Sequence, residues 1–214
     1  MISERQYLRF PSKSEFVVDE PLIRALCHWR KLVNEGPPRP IEGRSRKRSD
    51  VVIFTDGFTP DPRFNDRSPD RVGAVMFDRK LGAPVQFSEV VPKSVSETWL
   101  TRKTQIVPIE MLAPILALET FASRLINTDL IILIDSEAVE GALIKGYSSR
   151  EDISSLVSVF WDLALKLGCR VFIDRIATDA NPADWPSRGN LKIGQDAGWK
   201  TVQARWPDGL MNDR

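Results

Sequence analysis

The sequence predicts an α/β domain built on a mixed five-stranded sheet with helices on both faces. Two observations predict it. Three short β-branched runs follow one another after residue 50, with turn residues between them, which is typical of antiparallel strands. Helical stretches then alternate with apolar runs of strand length, which is typical of parallel strands joined by helices.

The individual elements follow from hydrophobic periodicity. We predict strands over 51–55, 72–77, 85–91, 130–134 and 170–176. We predict helices over 108–126, 136–145 and 153–167, and a short amphipathic helix at the C-terminal end that includes Trp199 and Trp206. Pro114 predicts a kink in the first of these helices, because proline removes a backbone hydrogen bond. The continuous apolar run over 130–134 predicts a strand covered on both faces.

Composition is that of an ordinary globular protein. Of 214 residues, 42% are hydrophobic and 28% are charged, which argues against a disordered or membrane-spanning chain. No apolar stretch reaches the roughly 18 residues that a transmembrane helix needs, so we expect no membrane association. The first twenty residues lack the apolar centre of a secretory signal, and we therefore expect an intracellular chain, in the cytoplasm or the nucleus.

Charge is distributed unevenly along the chain. Residues 1–49 carry 11 basic and 6 acidic side chains, whereas residues 50–214 carry 19 basic and 23 acidic ones. Helical spacing over 19–35, followed by a Pro/Arg/Ser-rich stretch, predicts an N-terminal helix and a basic linker. We therefore expect a connecting segment over 1–49 and a catalytic domain over 50–214. Contact with a phosphate backbone and plain solvation both remain open for the basic run.

Acidic side chains stand at the ends of these predicted elements. Asp56 and Asp135 each directly follow five apolar or β-branched residues, Glu110 lies in the first turn of an apolar helix, and Asp184 lies in a polar loop. A charge at the mouth of a buried strand is costly unless it is paired or bound to a metal. The pattern therefore favours a shared cation site.

Each acid taken alone also has a structural interpretation. Asp56 and Asp135 could form turns or cap helices. Glu110 could interact with the helix dipole, and Asp184 could pair with Arg188. These alternatives stay open at the level of single residues.

Four motifs occur in order along the chain: Ile53-Phe-Thr-Asp56-Gly57, Ile109-Glu110-Met-Leu-Ala113, Leu133-Ile-Asp135-Ser136 and Asn181-Pro-Ala-Asp184-Trp-Pro-Ser187-Arg188. Together they resemble ribonuclease H, in particular the ribonuclease H domains of retroelement reverse transcriptases. Those domains have two strands that end in aspartate, a glutamate-bearing helix and a closing signature of this kind. The resemblance covers about residues 50–190 and implies a ribonuclease H-like fold.

The resemblance also implies a function. Asp56, Glu110, Asp135 and Asp184 correspond to the metal-binding acids of the family, which implies a metal-dependent endonuclease that hydrolyses the RNA strand of RNA–DNA hybrids. Two Mg²⁺ ions, or Mn²⁺ in their place, suit an all-carboxylate site, and a pair of such ions stabilises both oxygens of an in-line displacement. By the same resemblance, Asp56 bridges the ions, Glu110 and Asp135 hold the first, and Asp184 holds the second. A reverse-transcriptase polymerase domain in a larger polypeptide is the implied partner.

Other polar residues are weaker candidates. The further candidates for contact with nucleic acid are Ser136, Asn181, Ser187, Arg188, Arg102 and Lys103. The first four could contact phosphate or the 2′-hydroxyl, but helix capping and loop bracing explain them as well. Arg102 and Lys103 could contact the nucleic-acid backbone or be solvated surface.

Some expected features are missing, and two other functions stay open. Cellular ribonucleases H have a histidine in the loop before the last aspartate, whereas the single histidine here is His28. Cys27, Cys169 and His28 lack the spacing of a zinc site, and we expect both cysteines to be buried thiols. We expect neither haem nor a nucleotide cofactor. A DNA nuclease or integrase-like enzyme, and a non-catalytic scaffold of the same fold that binds nucleic acid or protein, are the alternatives.

Overall fold

The computed structural model describes residues 20–36, 50–61, 63, 66–208 and 210. Contacts divide the chain into two compact units, Met1–Pro38 and Arg39–Arg214, which are described separately. The division predicted after residue 49 stays a prediction, because 37–49 lie outside the described residues. Within the described part of the chain, no helix combines the length and the apolar character needed to cross a membrane.

The described part of the first unit is one amphipathic helix, α1 (Glu20–Glu35), as helical spacing predicts. Its apolar residues at i, i+4, i+7 and i+11 line one face. These are Leu22, Leu26, Trp29 and Val33, with exposed fractions between 42% and 75%. Cys27 on the same helix is also exposed, so the expectation of a buried thiol holds for Cys169 and is wrong for Cys27.

The second unit contains the sheet. Its strands are β1 (Asp50–Phe58), β2 (Arg71–Asp78), β3 (Val85–Val90), β4 (Asp129–Ile134), β5 (Arg170–Arg175) and β6 (Lys200–Thr201). Its helices are α2 (Lys93–Ser96), α3 (Ile106–Thr120), α4 (Ala122–Leu125), α5 (Glu137–Lys145), α6 (Glu151–Lys166), α7 (Asp184–Ser187) and α8 (Lys192–Asp196), with a 3-10 turn at Thr178–Ala180. Apart from the C-terminal region and the end of α3, these elements agree closely with the predicted ones.

The sheet is mixed, as predicted, with the strand order β5-β4-β1-β2-β3-β6. Strands β1, β2 and β3 pair antiparallel, and β4 and β5 extend the sheet from β1 in parallel. The predicted count of five strands is wrong, because β6 pairs with β3 where we expect a terminal helix. The Lys200 N–H donates to Pro84 O at 2.9 Å and the Val202 N–H to Gln86 O at 3.0 Å. The backbone of this segment therefore forms an edge strand beside β3 instead of a helix.

Helices cover both faces of the sheet. Neighbouring residues of a strand point to opposite faces. A Cβ atom on Gly57 would meet the backbone of α3, whereas one on Gly73, the strand partner of Asp56, would meet the backbone of α7. The long helix α3 and the short helix α7 therefore lie on opposite faces, and each makes a close backbone contact near the end of β1.

Helix α3 forms the centre of the core. Ten of its 15 residues are buried, which agrees with its apolar character on all sides. The helix continues through Pro114 and ends before Phe121, after which the short helix α4 begins. The prediction of one helix over 108–126 is therefore wrong at its C-terminal end. Pro114 is buried inside this helix and removes one backbone hydrogen bond from it; the predicted kink stays a prediction.

The predicted full cover of β4 is wrong for one face. Leu130, Ile132 and Ile134 are buried, but Ile131 is 37% exposed. Its neighbour in β5, Phe172, is 62% exposed. Among the described residues, the helices therefore cover one face of these two strands and leave the other partly open.

Candidate active site

Three of the four predicted acids come together at one end of the sheet. Asp56, Glu110 and Asp135 each offer a carboxylate oxygen, and these oxygens lie within 4.8 Å of one another. Their carboxylates come from the ends of β1 and β4 and from α3. Three carboxylates at this separation match the oxygen ligand set of a hard divalent cation.

The strand register explains why the two aspartates meet. β1 and β4 are parallel neighbours, and Thr55 lies opposite Ile134 at the last registered pair. The residues that follow this pair are Asp56 and Asp135. Because the carboxyl ends of parallel strands emerge at the same edge of a sheet, the two side chains leave the core side by side.

The third acid is brought in by a glycine. A Cβ atom on Gly57 would lie 2.7 Å from the Glu110 backbone N and 2.9 Å from the Ile109 C. Only a glycine lets α3 approach β1 so closely without a backbone shift. The absence of a side chain at Gly57 therefore places Glu110 next to the two strand-end aspartates.

One oxygen of this cluster has no hydrogen-bond partner. The Oδ1 atom of Asp135 is buried and receives no hydrogen bond, one of four such side-chain atoms in the described part of the chain. A buried carboxylate oxygen without a partner is costly. A bound cation would remove this cost, so the residues present fit a divalent metal.

Burial and crowding perturb the protonation of the cluster. Burial is the main cause that raises the pKa of Asp56 to about 7; a hydrogen bond from Ser187 opposes this rise, and the negative charges of Asp135 and Asp184 add to it. Burial is also the main cause that raises the pKa of Glu110 to about 7; a hydrogen bond with Ser136 opposes this rise, and the charges of Asp135 and Asp56 add to it. Carboxylates that a cation would neutralise repel one another without it, so the raised pKa values of Asp56 and Glu110 agree with a cation site.

The fourth acid, Asp184, lines the same cleft but is not among the three acids whose ligand oxygens cluster. Asp184 begins α7, and its Oδ1 accepts a hydrogen bond from Arg188 Nε at 2.8 Å. The Arg188 guanidinium also lies 5.0 Å from the ring centroid of Phe58, within cation–π range. The ion pair that we weighed for Asp184 is therefore present, and Asp184 does not belong to the group of three.

The acids line an open cleft of about 520 Å³. Asp184 and Arg188 share this cleft with the three clustered acids, and Asp61 and Asp66 also line it. Six carboxylates and one guanidinium among the lining side chains give a negative surface. Such a cleft repels phosphodiesters unless cations neutralise it.

The small polar residues of the closing signature point inward. Asn181 is buried; its Nδ2 donates to Thr55 O at 3.1 Å and its Oδ1 accepts the Ala183 N–H. Ser187 is fully buried, and its Oγ donates to Asp56 Oδ2 at 2.5 Å. These contacts brace the loop and Asp56, which is the alternative to nucleic-acid contact that the sequence left open for both residues.

Ser136 does not cap its helix through its side chain, which was one of the roles that the sequence left open for it. It is the N-cap residue of α5 but makes no side-chain cap hydrogen bond. Ser136 instead acts on Glu110, whose pKa its hydrogen bonding lowers against the larger effect of burial. Ser136 therefore supports a carboxylate of the cluster.

The two basic candidates before α3 differ from each other. Arg102 is mostly buried, and its Nη2 lies 2.6 Å from Asp152 Oδ2. This ion pair ties the loop to α6, so a backbone-contact role for Arg102 is not supported by its position. Lys103 is exposed, and its charge lowers the pKa of the cleft residue Asp61, although the Arg63 hydrogen bond is the main cause of that lowering.

Sequence reasoning missed the two glycines and two of the cleft acids. Gly57 and Gly73 allow the backbone approaches of α3 and α7. Glycine inside a predicted strand is the signal that could have found Gly73, whereas Gly57 lies beyond the end of the predicted strand. Asp61 and Asp66 lie in an irregular loop, where no periodicity indicates the direction of a side chain.

Comparison with known proteins gives structural neighbours only. No protein-family model and no curated protein matches the sequence. The fold is similar to ribonuclease H1 from the halophilic archaeon Halobacterium salinarum, with 20% identity, 67% of this chain and 98% of that chain covered, and a TM-score of 0.49. It is also similar to the N-terminal ribonuclease H domain of rv2228c from Mycobacterium tuberculosis. The identity is 18%, 70% of this chain and 99% of that chain are covered, and the TM-score is 0.47.

A viral protein is among the neighbours too. The protease-reverse transcriptase of prototype foamy virus is 14% identical, with 75% of this chain and 22% of that chain covered and a TM-score of 0.37.

Proposed function

We propose that this chain is a metal-dependent ribonuclease H-type endonuclease that hydrolyses the RNA strand of RNA–DNA hybrids. The observation that carries the proposal is the convergence of Asp56, Glu110 and Asp135, whose ligand oxygens lie within 4.8 Å of one another. The unpartnered Oδ1 of Asp135 supports a cation at this point.

Two Mg²⁺ ions, or Mn²⁺, are the proposed cofactors, because an all-carboxylate donor set suits hard cations. Asp56 would hold both ions, Glu110 and Asp135 the first, and Asp184 the second. Bound divalent ions supply charge stabilisation to the attacking and leaving oxygens of a phosphodiester. Arg188 Nε donates to Asp184 Oδ1, and Asp184 is outside the group of three, so Oδ2 is the Asp184 oxygen that would bind the second ion.

The residues around the cluster hold its carboxylates in place. Ser187 donates to Asp56, and Ser136 hydrogen-bonds Glu110. Asn181 fixes the closing segment to the end of β1 through Thr55 O. These hydrogen bonds orient the carboxylates before any ligand binds, which is the condition for efficient electrostatic stabilisation.

The preference for a hybrid and the reverse-transcriptase context rest on the motifs. The segment from Asn181 to Arg188 is the most specific of them. A polymerase domain would supply the substrate grip that an acidic cleft lacks, and the basic stretch within 1–49 is the part of this chain suited to phosphate contact.

The test is cleavage of a labelled RNA–DNA hybrid in the presence of Mg²⁺ or Mn²⁺. We expect RNA-strand cleavage by the wild type, none after chelation, and a loss of at least about 100-fold in Asp135→Asn, since an oriented charge in a catalytic site is typically worth 10²–10³ in rate. Asp129→Asn is the matched control, because Asp129 lies at the other end of the same strand in an exposed ion pair with Arg170.

The same assay separates the alternatives. Preferential cleavage of duplex or branched DNA would favour the DNA nuclease. No cleavage of any substrate by a folded wild-type protein, or full activity in Asp135→Asn, would contradict the endonuclease and favour a non-catalytic scaffold.

A further inference from the structure

The hydroxyl of Ser187 lies between two acceptors. Its Oγ is 2.5 Å from Asp56 Oδ2 and 2.9 Å from the carbonyl O of Asp184. A serine hydroxyl has one proton and can donate to one of them at a time. The ionised carboxylate of Asp56 is the closer and the stronger acceptor, so the proton goes to Asp56 when this carboxylate carries its charge.

Ser187 itself cannot move away from this position. It is fully buried, and a Cβ atom on Gly73 would lie only 2.3 Å from its backbone N, so α7 rests directly on β2. At the other end of the closing segment, Asn181 is buried and donates to Thr55 O. The segment is thus attached to two consecutive residues of β1, to the backbone of the first and the carboxylate of the second.

A purely structural role would not need the contact with Asp56. In helices, a serine hydroxyl commonly donates to the carbonyl oxygen three or four residues earlier, as Ser187 Oγ can to Asp184 O. That bond requires no acid nearby. The additional contact with a carboxylate of the proposed metal cluster indicates a role that acts through Asp56.

We propose that Ser187 is a positioning residue, which orients the Asp56 carboxylate by a hydrogen bond to Oδ2 so that its remaining lone pairs face Glu110 and Asp135 and are ready to bind a divalent cation. The inference rests on the proposed function, because it concerns the same site. It assigns to Ser187 the supporting contact that metal-binding carboxylates generally need.

The test measures metal binding directly, without nucleic acid. Titration of Mn²⁺ into the folded protein gives the affinity for wild type, Ser187→Ala and the control Thr128→Val. The control also loses a buried hydroxyl, whose Oγ1 donates to Leu125 O at 2.7 Å; Thr128 directly precedes β4, at the opposite end of that strand from Asp135. Thermal unfolding of each variant reports the stability separately from the affinity.

We expect Ser187→Ala to bind Mn²⁺ 10- to 100-fold more weakly, which is the usual effect of removing such a support, and Thr128→Val to bind like wild type even if it is less stable. Hybrid cleavage by Ser187→Ala should show a larger requirement for metal and an unchanged KM for the hybrid. If Ser187→Ala does not fold, Ser187→Cys replaces it, because a thiol keeps the shape and is a weak donor.

The outcomes distinguish this inference from the function. Wild-type affinity in a folded Ser187 variant would overturn the positioning role and leave the endonuclease untouched. Weaker binding in the variant, combined with a wild type that cleaves no nucleic acid, would support the positioning role and overturn the endonuclease.

Discussion

Gly73 of β2 and Ser187 of α7 meet backbone to backbone, so closely that a Cβ atom on Gly73 would lie 2.3 Å from the Ser187 N and 2.6 Å from the Pro186 C. Gly73 is also the strand partner of Asp56. The same point of the sheet therefore carries the acid, admits the helix and brings the supporting hydroxyl to the acid.

We predict that Gly73→Ala destabilises the protein and weakens metal binding. The new methyl group would overlap backbone atoms of α7, and overpacking of this kind costs about 1–3 kcal/mol. Displacement of α7 would also move Ser187 away from Asp56. Chemical denaturation and Mn²⁺ titration measure the two effects.

The control for this substitution is Gly82→Ala, since a Cβ atom there would meet nothing within 4 Å. Equal stability of both variants would contradict the close approach of α7 to the sheet.

The second prediction concerns pH. Burial, with neighbouring charges adding to it, raises the pKa of both Asp56 and Glu110 to about 7 in the folded protein, from ordinary values of 3.8 and 4.5. Between about pH 4 and pH 7 the folded state therefore holds more protons than the unfolded state, and the free energy of unfolding falls as the pH rises. Each pKa unit corresponds to about 1.4 kcal/mol.

Denaturation of the metal-free protein at pH 4.5, 6 and 7.5 measures this slope. Asp56→Asn should flatten it, because the amide does not titrate. Saturating Mg²⁺ should stabilise the protein more at pH 7.5 than at pH 4.5, because it binds the ionised carboxylates. A metal-free stability that rises across this window would contradict the raised pKa values.

The third prediction separates the two basic residues before α3. Arg102→Ala should lower the free energy of unfolding by about 1.5–3 kcal/mol, because it removes charged hydrogen bonds to the mostly buried Asp152. Lys103→Ala should leave the stability unchanged, because Lys103 is exposed.

Hybrid binding should respond in the opposite way. The KM for the hybrid should rise in Lys103→Ala, whose charge acts on the cleft, and stay close to wild type in Arg102→Ala. A rise in KM for Arg102→Ala alone, without loss of stability, would restore the nucleic-acid contact that the sequence suggested for it.

The acids of the site could be predicted because they are tied to strand ends. Asp56 and Asp135 end apolar runs, and parallel neighbours bring their carboxyl ends to one edge. Glu110 could be predicted as the acid on an apolar helix. The separation of Asp184 from this group could not, because it depends on whether a single ion pair with Arg188 forms.

The roles of the short polar side chains could not be predicted from the sequence, because they also depend on which partner each side chain reaches in the folded protein. Ser136, Asn181 and Ser187 each have hydroxyl or amide groups that fit capping, loop bracing or ligand contact equally well. Only the packing of α3 and α7 on the two faces of the sheet decides which partner each one reaches.

The C-terminal region shows where hydrophobic periodicity fails. The spacing of Trp199, Val202 and Trp206 indicates a helix, yet Lys200–Thr201 form β6. Phe77 makes an edge contact with Trp199 at 5.9 Å between ring centroids, and the free edge of β3 accepts backbone hydrogen bonds. Tertiary partners outweigh local preference in so short a segment.

The burial of α3 on all sides has a consequence for how an ion would be captured. Glu110 is fixed to a helix with ten buried residues and held against β1 at Gly57, so its backbone has no freedom left to lose on association. The backbone conformational entropy of Glu110 is lost during folding, before an ion binds. Affinity at this site is therefore governed by charge and desolvation, and loosening the core around α3 should weaken ion capture even where no liganding atom is altered.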